Sequence, residues 1–79
     1  MILYLIYQDH NGGYDTYDSA VVVAENAEIA KRMHPDTGEL DGKIILNEWA
    51  EPEYVEAVYL GKADIIDKRE VVCASFNTG

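Results

Sequence analysis

A chain of 79 residues, 48% of them hydrophobic, holds enough apolar material for one small core, which excludes wholesale disorder. Its formal charge of −9 leaves no basic footprint for displacing counterions from a nucleic acid or for holding an anionic membrane surface. The single cysteine, Cys73, excludes a disulfide within the chain and fits a reducing compartment.

The apolar start, Met1 to Tyr7, lacks a positive leader region and is too short to cross a bilayer. Residues 2–8 are apolar on both alternating faces and read as a central strand. Asp9-His10-Asn11-Gly12-Gly13 then concentrates turn chemistry, since Asn-Gly and Gly-Gly tolerate positive φ at little cost. Beyond it, alternation sets Tyr14, Thr16 and Asp18 against Asp15, Tyr17 and Ser19, and Ala20 to Ala24 forms a second buried run. The pattern predicts a β-hairpin whose outer half projects beyond the core.

Asn26 stands where a helix N-cap belongs, with Glu28 in the first turn. Ile29, Ala30 and Met33 form an apolar stripe, Lys31 and Arg32 favour the C-terminal end, and Pro35 stops the helix after about two turns. Asp36 to Gly42 is turn-rich. Ile44-Ile45-Leu46 suits a strand or a helical turn, and Trp49 anchors that segment. Tyr54 to Leu60 alternates as a strand ended by Gly61, Asp64 to Glu70 holds a turn, and Glu70 to Phe76 is the last strand.

These elements predict a single α+β domain over residues 1–79. Its three- or four-stranded, mainly antiparallel sheet carries one short helix on one face. The expected core is Leu3, Leu5, Val21, Val23, Ile29, Met33, Trp49, Val58, Val72 and Phe76. Cys73 reads as a buried small hydrophobe, and Tyr4, Tyr7 and Tyr59 as core or half-buried.

No motif spells out catalysis. Asp9 to Ala20 has carboxylates near those of a calcium loop, but Tyr14 and Ala20 stand where glycine and glutamate are required. His10 and His34 have no ligand spacing that would join them to Asp15 or Asp18 around a metal. Ser19 and Ser75 lack a neighbouring histidine and a nucleophile turn. Gly12-Gly13 lacks the lysine of a phosphate cradle. A metal- or ligand-dependent enzyme is therefore the weakest reading, and no cofactor is implied. The candidate partner-binding residues are Tyr14, Asp15, Tyr17 and Asp18 on the hairpin, with Asp36, Glu39, Asp41, Glu48, Glu51 and Glu53 beyond the helix. Tyrosine gives large contact area for little lost entropy, and carboxylates steer a basic partner.

Asn11-Gly12-Gly13-Tyr14-Asp15-Thr16-Tyr17-Asp18-Ser19-Ala20-Val21-Val22 resembles a signature of small, acidic, largely uncharacterised bacteriophage and prophage proteins. The resemblance continues through Ala24-Glu25 and the helix to His34-Pro35. It resumes from Val55 to Asp64 and closes on Val71 to Gly79, leaving residues 36–52 outside it. The family offers no catalytic residues to carry over. The resemblance implies a mobile-element origin and action in the cytoplasm of a bacterial host. Together with the charge, it suggests a non-catalytic binding protein that blocks a basic, nucleic-acid-handling host or defence protein, a CRISPR effector among them, as an anti-CRISPR-like inhibitor. The alternative is a self-associating accessory protein, a homodimer through an open sheet face or edge.

Overall fold

The structure is a computed structural model, and it describes residues 1–9, 16–40, 49–64 and 66–77. The four strands are β1 (Ile2–Tyr7), β2 (Thr16–Ala24), β3 (Glu56–Lys62) and β4 (Glu70–Asn77). They form one antiparallel sheet in the order β3-β1-β2-β4. Among the described residues, one helix, α1 (Ala27–Lys31), and a 3₁₀ turn, Pro52–Tyr54, complete the α+β fold. The expected central position of the first strand is borne out, and so are the last strand and the mainly antiparallel sheet. The hairpin tip and the ambiguous Ile44-Ile45-Leu46 fall outside the described residues.

The register decides which side chains share a face. Ile2 pairs with Ala24, Tyr4 with Val22 and Ile6 with Ala20, which aligns these six on one side. Leu3, Leu5 and Tyr7, opposite Val23, Val21 and Ser19, take the other side. The first side is the covered one. Tyr4, Ile6, Ala20, Val22 and Ala24 are buried there in one cluster with Ala30, Met33, Trp49, Ala50 and Val55. The small residues Ala20, Ala24, Ala30 and Ala50 let the covering layer approach closely, and the fully buried Trp49 fills the remaining space.

Asn26 is the N-cap of α1, its side-chain oxygen accepting the Ile29 N–H at 2.9 Å. Only five residues are helical, fewer than the two turns expected. So short a helix has little stability of its own, and α1 depends on docking against β1, β2 and β3. The β2–β4 side is covered instead by the segment after the helix, where a bridge between Met33 and Leu40 closes a tight loop. Within it His34 N–H donates to Glu39 O at 2.9 Å and Gly38 N–H to His34 O at 2.8 Å.

Because β3 and β4 are opposite edges, residues 63–64 and 66–69 lie across the end of the sheet where β1 begins and β2 finishes. Ala63 N–H donates to Met1 O at 3.1 Å, Ala63 and Val23 are buried, and Arg69 reaches Glu25 at 3.6 Å. That ion pair is exposed and contributes little.

Several expectations need correction. Met33, Trp49 and Val23 are buried as expected, but Val58, Val72 and Phe76 are exposed by 43%, 49% and 41%. Leu3, Leu5, Val21 and Ile29 are only half-buried. Cys73 is exposed, as are Tyr7 and Tyr59, whereas Tyr4 is buried. Tyr54 lies in the 3₁₀ turn, and β3 continues through Gly61 to Lys62. The physical reason is common to most of these. Both alternating sets along β1 and β2 are apolar, so periodicity cannot say which set meets the covering layer. The expected strand residues belong largely to the uncovered set.

Truncation should report the two faces unequally. Ile6→Ala, on the covered face, is expected to lower unfolding free energy in urea by about 2–5 kcal/mol. Val58→Ala, on an exposed edge, should change it by less than about 1 kcal/mol.

Candidate interaction surfaces

Of the ten candidate binding residues, Tyr14, Asp15, Asp41 and Glu48 lie outside the described residues. Tyr17 does not project. It is half-buried, its ring tilted against Phe76 at 4.7 Å between centroids and edge-on to His34 at 6.0 Å. Its carbonyl accepts the Gln8 side-chain amide at 2.9 Å, and its neighbour Thr16 is buried. The outer part of β2 is thus folded back into the packing by aromatic contacts. Asp18 is exposed, because the β2–β4 register slips between Tyr17 and Ser19 and makes it the extra residue of a bulge.

Asp36 and Glu39 are exposed on the loop after α1. Asp36 N–H donates to His34 Nδ1 at 3.1 Å, and Glu39 N–H to Thr37 Oγ1 at 3.2 Å. These bonds fix the backbone and leave both carboxylates to solvent. Gly38 has φ +76°, and a Cβ there would stand 3.5 Å from Val71 of β4. Through the Tyr17–His34 contact, Asp18, Asp36 and Glu39 gather at the β4 side of the sheet. Glu51 and Glu53 are exposed on the 3₁₀ turn leading into β3, the opposite edge. The sheet's width, about 14 Å at the usual strand spacing, separates the two groups.

Leu3, Leu5, Val21 and Val58, expected in the core, belong to a second surface. On the uncovered face, Leu3, Leu5, Tyr7, Ser19 and Val21 of β1 and β2 lie beside Val58 of β3 and Cys73 and Ser75 of β4. Leu60, 50% exposed, is the extra residue of the β3 bulge opposite Leu3. A hollow of about 160 Å³ opens here between Leu5, Val21, Cys73 and Ser75. Charge enters this face at its corners, Glu56 opposite Tyr7 and Glu70 opposite Val23. The signal was present in the sequence: two strands apolar on both sides, with one short helix to cover them.

A second hollow, about 490 Å³ and open, is lined by Gly38, Glu39, Leu40 and Arg69. Its mixed charge selects no ligand. Among the described residues no three His, Cys, Asp or Glu side chains gather as metal ligands, and no helix is long and apolar enough to cross a membrane. Comparison with protein-family models, curated proteins and solved structures returns no match.

Gly38→Ala tests the acidic loop directly. Left-handed backbone is strained for alanine, while the added methyl meets Val71 at ordinary van der Waals distance. Chemical denaturation should show a loss of about 1–2 kcal/mol.

Proposed function

We propose that this chain is a non-catalytic acidic binding protein that blocks a basic, nucleic-acid-handling protein of a bacterial host. A defence nuclease such as a CRISPR effector is the kind of target meant. The observation that carries the reading is electrostatic. A net charge of −9 exceeds the ~2–8 usual for a small domain. Asp18, Asp36, Glu39, Glu51 and Glu53 are all exposed. Among the described residues, no ion pair neutralises these five.

The physical route is competition. A site built to hold phosphates carries lysine and arginine in a groove of positive potential, which steers an anionic protein inward. Carboxylates at two edges of a small sheet can then occupy positions that phosphates would take. The resemblance to small acidic phage proteins supports an origin in which blocking a host enzyme is useful, and action in the host cytoplasm goes with it.

The test is affinity capture from bacterial lysate at low salt, followed by nucleic-acid binding assays on the recovered partner. The expected outcome is a basic partner, released at high salt, whose nucleic-acid binding falls as the acidic protein is added. The combined variant Asp18→Asn, Asp36→Asn, Glu39→Gln should weaken both effects by roughly tenfold or more, about 1.4 kcal/mol. Capture of no basic protein, or of one whose nucleic-acid binding is untouched, would overturn the proposal.

A further inference from the structure

The uncovered sheet face has a composition unlike the rest of this chain. Charged residues make up 27% of the sequence, yet Leu3, Leu5, Tyr7, Val21, Val58 and Leu60 form a neutral apolar surface. A basic partner has nothing to pair with there except Glu56 and Glu70 at its corners. We infer that this face is a self-association surface. Two copies of the chain pack face to face about a two-fold axis running along the strands.

Three observations select a second copy as the occupant. The first is complementarity. The β4 half of the face holds the 160 Å³ hollow floored by Leu5, Val21 and Cys73. The β3 half carries the exposed Val58 and Leu60. A two-fold along the strands lays β3 of each copy over β4 of the other, so each aliphatic pair meets the other copy's hollow, and the contact is isologous. Aligned packing of two twisted sheets is a standard way to close such a face.

The second is charge. Two chains of −9 repel each other, and contact is least opposed through a surface whose carboxylates sit at its corners. The third is area. Four strands at ~4.8 Å spacing, each lending about 17 Å of length, give a face of roughly 20 by 17 Å. Two such faces bury roughly 700–1,000 Å² in all, short of the ~1,200 Å² at which stable interfaces begin and in the range of weak, transient ones. The dimer is therefore reversible and dissociates on dilution.

Sedimentation equilibrium of the full chain over a range of protein and sodium chloride concentrations tests this. Dimer is expected to accumulate with concentration and to tighten as salt rises, because salt screens the repulsion between like charges. Binding to a basic partner weakens with salt, so the sign separates this inference from the proposed function, and either can fail alone. Leu60→Lys and Val58→Lys, at exposed edge positions, should keep the native circular dichroism and weaken the dimer by about tenfold or more. Alkylation of Cys73 should slow with rising concentration of the wild type and not of Leu60→Lys. Monomer at every concentration and salt would overturn the inference. So would a dimer that both lysine variants retain, since that would place the contact at the strand edge.

Discussion

A sheet that is apolar on both faces needs two covering layers, and this chain supplies one. β1 and β2 are locked in an unbroken antiparallel register from Ile2–Ala24 to Tyr7–Ser19. That register sends Tyr4, Ile6, Ala20 and Val22 to one side and Leu3, Leu5 and Val21 to the other. Hydrophobic burial draws every available segment onto the first side: a five-residue helix, the Met33–Leu40 loop, and the stretch carrying Trp49 and Ala50. These pieces are short and cannot hold their conformation alone. Trp49 connects them, since one large buried side chain replaces the area a longer helix would contribute. On the second side the described chain adds cover at one end alone, beside Ala63, where Val23 is buried.

The same constraint explains what could be read beforehand. Local signals carried the elements well. Asn26 with Glu28 marked the helix start and β-rich runs marked the strands, because each depends on backbone preferences within a few residues, whereas the helix ends at Lys31, short of the stop expected from Pro35. The choice of face was not local. Leu3, Leu5, Val21 and Val58 do share a face, as alternation requires, but apolar residues at every position leave no polar stripe to identify the solvent side. Small residues held the answer: alanines at 20 and 24 mark where a covering layer comes close. Cys73 misled for a related reason. An apolar run suggested burial, yet Cys73 lies opposite Val21 on the uncovered face of an edge strand.

The candidate site was legible in part. Carboxylates at Asp18, Asp36, Glu39, Glu51 and Glu53 are exposed as charge alone requires, because desolvating an unpaired carboxylate is expensive. Tyr17 differed because its neighbours in space, His34 and Phe76, are 17 and 59 residues away in sequence. No spacing rule announces such a contact. What looked like a projecting tyrosine is part of the packing that ties β2 to the acidic loop. A bulge then turns Asp18 outward beside it.

Placement separates the two surfaces more sharply than composition does. The Asp36–Glu39 loop and the Glu51–Glu53 turn belong to the covering side of the sheet or its rim, while the neutral face lies on the other side. A contact through the neutral face would therefore leave the loop and turn carboxylates of both copies directed outward. Two acidic rims held at a fixed spacing meet an extended basic groove with a higher effective concentration than one rim alone. Such a groove, made to track a nucleic-acid backbone, presents positive charge over a longer span than a single copy's sheet can cover. On this arrangement the apolar face and the acidic rim serve one function. The uncovered face would then set how many rims are presented, and the rims what they bind.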